Sequence, residues 1–319
     1  MENFAVIDLG SNSARMTITQ INNDGTTKAV KQMKQYVRLS ENMGPKKVLQ
    51  PEAIDRTLEA LNDFKVVYSG LDNLHLKAVA TAATRQASNQ KKFLKLAEAQ
   101  LGVPLEVLPG TMEAYYDYLG VSETLPSTNA VILDTGGASS EIVLVQNGAI
   151  SHLISIPLGS VNLTQQFLSP DTITANSLFD AMTFFNDILN NVWWLRNGLN
   201  LPVIGLGGSN RTMAKINRRF NNILDSEDVH GYRLSRQAID NTFSRIVSQN
   251  LEGRKAIPGL SKDRADIIVG GLIPLVLLMR YLDSDHITFS NSGLREGILF
   301  EHLKALQTEA VHDEMTDDL

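Results

Sequence analysis

Ala130-Val131-Ile132-Leu133-Asp134-Thr135-Gly136-Gly137-Ala138-Ser139-Ser140-Glu141-Ile142-Val143-Leu144-Val145 is an apolar run closed by an acid, then a glycine turn, then a second apolar run that ends at Asn147-Gly148. Short Val, Ile and Leu runs bounded by turn residues mark buried strands, and Asn-Gly supplies the positive φ of a tight hairpin. The N-terminus follows the same plan. Phe4 to Asp8 form an apolar strand, Gly10-Ser11-Asn12-Ser13 a turn, Ala14 to Ile21 an alternating strand and Asn23-Asp24-Gly25 a hairpin turn. Asp8 falls on Asp134, Gly10 on Gly136 and Ser13 on Ser139, each 126 residues later (134 minus 8, 139 minus 13). Strand, acid, turn, strand and hairpin turn coincide in order, the mark of an internal duplication.

Helices fill the space between these strands. Pro51 opens one with Ile54, Leu58, Leu61 and Tyr68 on a single face; Leu76 to Ala80 is a strand, Asn89 to Leu101 a helix, Leu105 to Leu108 a strand and Thr111 to Gly120 a helix. That alternation predicts an α/β half. In the second half Ser169 and Pro170 are expected to cap a long helix whose Leu178, Met182, Phe185, Leu189 and Val192 recur at core spacing. Trp193-Trp194 beside Leu195 finishes that core or marks a dimer surface; the first is favoured, which leaves a homodimer as the weaker expectation. Leu201 to Leu206 is a strand, Gly207-Gly208-Ser209 a third glycine turn, and a helix begins near Asn210 with Arg211 and Lys215. Ile267 to Met279, interrupted by Gly270, Gly271 and Pro274, is shorter than the roughly 20 residues a membrane crossing needs and reads as a buried, bent helix. His312 to Leu319, with four acids, reads as a frayed end.

At 319 residues and 43% hydrophobic content the chain can bury two cores. Two domains are expected, 1–121 and 122–319, with a last helix near 295–310 packing back on the first. A net charge of -6 excludes a broadly basic nucleic-acid binder but leaves room for a local basic pocket. Zero cysteines exclude a disulfide scaffold, a thiolate zinc site and a cysteine nucleophile, and they suit a reducing compartment. Met1-Glu2-Asn3-Phe4 carries no basic leader region, so a cytoplasmic protein without membrane or nucleic-acid partners is expected.

Three glycine turns in one chain point to a polyphosphorylated ligand, because backbone N–H groups there approach phosphate oxygens without obstruction. No GxxxxGK[ST] occurs and no GxGxxG opens a helix after the first strand, which disfavours P-loop and dinucleotide chemistry. An acidic protein must neutralise a polyanion locally, and Arg15, Arg38, Arg85 and Arg211 are the candidate cations. Asp8 and Asp134 close their strands just before glycine turns, and with Glu141 they are candidate ligands of a divalent cation; turn capping is the rival role. Glu113 opens a helix after Gly110-Thr111, where the macrodipole favours an ionised carboxylate able to act as a base; a plain helix cap is the rival role.

The whole series resembles the exopolyphosphatase/guanosine pentaphosphate phosphohydrolase (Ppx/GppA) family. The matching runs are Asp8-Leu9-Gly10-Ser11-Asn12-Ser13, Ala80-Thr81-Ala82-Ala83-Thr84-Arg85, Gly110-Thr111-Met112-Glu113-Ala114, Asp134 to Glu141, Pro157-Leu158-Gly159-Ser160-Val161, Gly205-Leu206-Gly207-Gly208-Ser209, Arg264-Ala265-Asp266 and Gly293-Leu294-Arg295-Glu296-Gly297. The resemblance implies two ribonuclease H-like domains of the actin, Hsp70 and sugar-kinase type flanking a central cleft. It implies removal of the terminal phosphate of inorganic polyphosphate, or conversion of guanosine pentaphosphate to the tetraphosphate, with Mg²⁺ or another divalent cation such as Mn²⁺. Glu113 is then the general base, and Asp134 and Glu141, with Asp8, are metal ligands. Ser11, Asn12, Ser13, Arg15, Arg85, Gly136, Gly137, Ala138, Ser139, Gly207, Gly208 and Ser209 are phosphate binders.

Four positions depart from the family pattern: Met112 for a second acid, Tyr115 for Arg, Ala138 for a third glycine and Asn162 for Arg. Altered substrate grip is expected from them. Longer members continue into a further helical region, so short substrates are the expectation for this chain. Two rivals stand beside this reading: a small-molecule kinase of the same fold, and a non-catalytic sensor of polyphosphate or guanosine polyphosphates.

Overall fold

Two mixed β-sheets with one strand order organise the chain. A computed structural model describes residues 1–223 and 227–317, with side chains to residue 308. The first sheet contains β1 (Glu2–Leu9), β2 (Ala14–Ile21) and β3 (Thr27–Gln35); then come α1 (Pro51–Tyr68), β4 (Leu74–Ala80), α2 (Ala82–Gln86), α3 (Gln90–Leu101) and β5 (Glu106–Val107). Helix α4 (Gly110–Ser122) leads into β6 (Ala130–Thr135), β7 (Ser140–Gln146), β8 (Ala149–Ile156), α5 (Ser160–Phe167) and α6 (Ala175–Asn191). After them run β9 (Val203–Leu206), α7 (Gly207–Phe220), β10 (Arg233–Ser235), α8 (Arg236–Val247), α9 (Leu251–Lys255), α10 (Ile268–Tyr281), β11 (His286–Phe289) and α11 (Leu294–Asp317).

The first sheet is ordered β3-β2-β1-β4-β5, and the second, read from its far edge, β8-β7-β6-β9-β11-β10. Strands β6, β7, β8, β9 and β11 thus repeat β1 to β5, and β10 adds an edge. Register repeats as well: Asp8 pairs with Arg15 and Leu9 with Ala14 in one hairpin, Asp134 with Glu141 and Thr135 with Ser140 in the other. Both turns close alike, Gly10 N–H donating to Ser13 O at 3.1 Å and Gly136 N–H to Ser139 O at 3.0 Å. These are the two ribonuclease H-like halves that the family resemblance implies, and they carry the duplication expected from the repeat.

Helix α4 lies between the sheets. Its Tyr116 and Leu119 join Phe4, Val6 and Val79 of the first sheet, together with Ile298 of α11, while Ala114 and Val121 join Ile132, Val143 and Ile204 of the second. Residues on both faces of α4 are therefore buried, and the helix start is fixed from two sides. Helix α10 is buried on every face from Ile268 to Met279, which is why that run reads apolar throughout.

Several boundaries differ from expectation. The long second-half helix starts at Ala175, because Thr174 Oγ1 accepts the Ser177 N–H as its cap, and Ser169-Pro170 precede it. Its stripe is core as expected, with Phe185 and Leu189 fully buried; Trp194 is buried with it but Trp193 is 76% exposed. The third glycine turn is the first turn of α7 itself. The chain from His312, expected to fray, continues α11 as far as Asp317, and residues 318–319 lie outside the described residues.

Candidate active site

The ends of β1, β6 and β9 and the start of α4 converge on a chamber of about 80 Å³ between the sheets. Its wall includes Asp8, Ser11, Asn12, Ser13, Arg15, Glu113, Asp134, Gly136, Gly137, Ser139, Gly207 and Gly208. The two hairpin turns touch: a Cβ on Gly137 would stand 2.8 Å from Ser11 Cβ and 3.2 Å from the Asn12 nitrogen. Gly207 sits at φ +85°, and a Cβ there would lie 2.4 Å from Asp134 Oδ1, so both backbone and space require glycine. The Gly208 and Ser209 N–H groups open α7 and are free of intrahelical partners, as at any helix start.

Glu113 is held at its post by Arg85, whose Nη1 donates to Glu113 Oε2 at 2.7 Å and to Leu108 O at 2.7 Å. Burial pushes the Glu113 carboxyl up to about 7, and the guanidinium limits that rise. A carboxyl that titrates near neutrality inside a cavity is suited to taking a proton from water. Arg85, expected as a phosphate binder, is not among the residues that line the chamber, and its guanidinium holds Glu113.

Burial also raises Asp8 and Asp134, although Arg15 lowers the first and Arg211 the second. Asp134 Oδ1 is buried and finds no hydrogen-bond partner among the described residues. Such an orphaned carboxylate oxygen, facing a space lined by acids, fits a cation ligand. Among the described residues no three His, Asp or Glu side chains converge into a metal site by themselves, so Asp134 fits a hard cation that takes its other ligands from phosphate oxygens and water.

Glu141 lies off the chamber wall. Its Oε1 accepts the Ser155 hydroxyl at 2.7 Å, and burial raises its carboxyl well above the ordinary range. Ala138 and Ser209 are also behind the wall, the Ala138 carbonyl accepting from Gln86 and Asn162, and Ser209 Oγ accepting from Arg264 at 3.5 Å. Asp117, one helical turn beyond Glu113, is 1% exposed; its Oδ1 has no partner among the described residues, and burial holds its carboxyl well above the ordinary range.

A groove of about 920 Å³ adjoins the chamber and shares Arg15, Gly208 and Arg264 with it. Among the described residues it carries seven cations, Arg15, Lys34, Arg211, Lys215, Arg219, Arg264 and Arg295, against Glu227 and Glu296. Burial and neighbouring positive charge bring Arg211 down to about 10, the mark of cations crowded without enough counter-charge. Lys34 Nζ donates to Tyr36 Oη at 2.7 Å on the same wall. Arg38, expected to meet the anion, points elsewhere, to Asp266 at 2.9 Å. Sequence reasoning gave no role to Arg264 and Arg295, although both sit in quoted runs, and none to Lys34, Tyr36 or Asp117. The lysine density of residues 28–34 is the available signal for Lys34.

An exopolyphosphatase from Cytophaga hutchinsonii superimposes with a TM-score of 0.89 at 25% identity, covering 95% of this chain and 98% of that one. The PPX-GPPA enzyme of Aquifex aeolicus superimposes at 0.76 with 29% identity, over 93% and 98%. A guanosine-5'-triphosphate,3'-diphosphate pyrophosphatase of Vibrio vulnificus is 28% identical across 97% of this chain and 61% of its own length. A bifunctional 3-dehydroquinate synthase/phosphatase of Fusobacterium nucleatum is 27% identical across 93% of this chain and 46% of its own length. The chain thus spans about half to three-fifths of the length of these two curated relatives. Residues 17–306 match the model of the Ppx/GppA phosphatase family, and with the duplicated sheets and the shared turns this chain belongs to that family.

Proposed function

We infer that the chain hydrolyses the terminal phosphoanhydride of a linear polyphosphorylated anion, either inorganic polyphosphate or guanosine pentaphosphate. The observation that carries this reading is Glu113, buried beside Arg85 on the wall of a small chamber that adjoins a groove with seven cations among the described residues. The anion lies along Arg211, Arg264 and Arg295, and its last phosphate enters the chamber between the two hairpin turns and the start of α7. Binding the inner phosphates orients the terminal one.

Glu113 accepts a proton from a water whose oxygen forms a bond to the terminal phosphorus. The bridging P–O bond breaks, and its electron pair stays on the shortened anion. Orthophosphate forms, and Glu113 later returns its proton to solvent. Turn N–H groups stabilise the charge that spreads over the equatorial oxygens, and Arg15 binds the phosphate they surround. Asp134, with Asp8 nearby, is the residue to hold Mg²⁺ or Mn²⁺, which when bound neutralises phosphate charge and offsets the repulsion by the chamber's own acids. Glu141, tied to Ser155, is suited to holding outer water around that ion.

The test is to incubate the purified chain with Mg²⁺ and polyphosphates of defined length, alongside guanosine pentaphosphate, and to quantify orthophosphate. Release from either supports the reading. Binding without release at any Mg²⁺ or Mn²⁺ concentration selects a sensor, and ADP formation from ATP that depends on an added sugar or acid acceptor, with the phosphoryl group found on that acceptor, selects a kinase.

A further inference from the structure

The chamber has a second neighbour. A cavity of about 560 Å³ shares Asn12 with the chamber and has no lining residue in common with the cationic groove. The partition is one residue thick at Asn12, and at two further places near neighbours in sequence face opposite sides. Asn12 borders both spaces; Ser160 faces the chamber and Val161 the cavity; Arg264 faces the chamber and Asp266, two residues on, the cavity. Asn12 is 7% exposed, yet its Nδ2 finds no partner among the described residues, leaving a buried donor in the partition.

Arg38 latches this wall. Its backbone N–H donates to Asn12 O at 3.0 Å, and its guanidinium crosses to the other half, reaching Asp266 Oδ2 at 2.9 Å and Asp263 O at 3.1 Å. Arg38 holds a left-handed backbone at φ +46°, uncommon for a residue with a side chain. Asp266 Oδ1 is buried without a partner among the described residues, so the latch leaves its own acid half-satisfied. Such a contact can exchange one anion for another: the guanidinium is able to trade a carboxylate for a phosphate, which it binds as well.

On the function inferred above, each turnover leaves two anions, a shortened one along the groove and orthophosphate in the chamber. The groove is then occupied by like charge, and the way back is closed to orthophosphate until the larger anion departs. We propose that orthophosphate leaves by the second cavity. It passes Asn12 Nδ2 and meets Arg38, the one cation among the cavity's described lining residues, which stands between the acids Glu41 and Asp266. Asp266 yields the guanidinium as the anion arrives and takes it back as the anion leaves.

The chain has no cysteine, so a single thiol can be placed at the mouth of the cavity. Gln165 lines that mouth and is exposed. Gln165→Cys is labelled either with a methylthio group or with a biphenyl maleimide, and tripolyphosphate turnover with Mg²⁺ is followed twice. Rapid quenching reads the first turnover, and a fluorescent phosphate-binding protein reads free orthophosphate. The bulky label is expected to leave the first turnover unchanged and to slow later release by about five-fold or more, so that a burst appears, while the small label changes neither. Equal slowing of the first turnover, or no slowing of release, overturns the exit route. Absence of orthophosphate from the unlabelled protein overturns the hydrolase reading instead, so the two failures are distinct.

Discussion

Arg15 and Glu141 occupy the same place in the two halves. Each is the antiparallel partner of the aspartate that closes the first strand, Asp8 for Arg15 and Asp134 for Glu141. The next strand out continues the row with Lys34 opposite Arg15 and Ser155 opposite Glu141. One duplicated rung therefore carries two cations on one side of the cleft and an acid with a hydroxyl on the other. In the proposed reaction the first pair would meet phosphate and the second would hold water around a cation. Arg15→Ala is expected to lower kcat/KM for orthophosphate release by roughly 10- to 100-fold, the worth of a hydrogen bond to a charged group, mostly through KM. Arg15→Lys, which keeps the charge, should recover part of it, and a KM unmoved by either change removes Arg15 from substrate binding.

Glu113→Gln preserves the shape of the α4 start and removes the proton acceptor. Turnover is expected to fall by at least about 100-fold, with polyphosphate affinity within a few-fold of the parent. Calorimetric binding beside quenched-flow turnover separates the two effects. Retained turnover takes Glu113 out of the base role.

The Glu113 carboxyl rises to about 7 through burial, and ionised Glu113 is the form that accepts a proton, so the rate should fall on the acid side of pH 7. Arg85 opposes that rise. Arg85→Met leaves the carboxyl buried without its cation, moving the acid limb of the pH–rate profile to higher pH and restoring much of the lost rate in alkaline buffer. If Arg85 served phosphate alone, the same variant would raise KM and leave the midpoint in place.

Much of this site is legible in the sequence, and the omissions have a common cause. The 126-residue repeat pairs Asp8 with Asp134 and the two turns with each other because strands and tight turns are local patterns. Glu113 stands out through its place after Gly110-Thr111. Lys34, Arg264 and Arg295 come to the groove from β3, from the segment before α10 and from the start of α11, and no periodicity relates positions that only the packing of three elements brings together. Asp117 is hidden for the opposite reason: an acid on a helix reads as the solvent face, yet the half-exposed stripe of α4 is Tyr115, Tyr118 and Ser122, and Asp117 lies on a buried face. Strand β3, largely exposed and rich in lysine, lacks the alternation that marked its partner β2.

Asp117 carries a cost that pH should reveal. Its carboxyl keeps a proton in the folded chain far above the pH at which the unfolded chain releases it. The folded state binds more protons across that interval, so stability is fullest below the unfolded carboxylate pKa and falls as pH rises toward the raised value. Asp8, Asp134 and Glu141 are raised too and add to the same slope. Asp117→Asn removes one contribution. Its melting temperature should exceed that of the parent by a few degrees at pH 8, with the gap closing at pH 5. A gap independent of pH would assign the effect to packing.

Asp134 offers the most direct test of the cation. Asp134→Asn keeps the volume beside Gly207 and removes the charge from the orphaned oxygen. A ligand that binds the folded chain raises its melting temperature by mass action. Mg²⁺ or Mn²⁺ should therefore stabilise the parent in the absence of any substrate and stabilise the variant far less. In turnover assays the variant should need about ten-fold or more of the metal for half-maximal orthophosphate release, with part of the rate recovered at saturation, because phosphate oxygens supply the remaining ligands. The metal-free variant should also be more stable than the metal-free parent above pH 7, since burial raises the Asp134 carboxyl and its ionised form is the costly one. Equal metal shifts in parent and variant, together with an unchanged metal titration, would place the cation elsewhere and leave Asp134 as a turn acid.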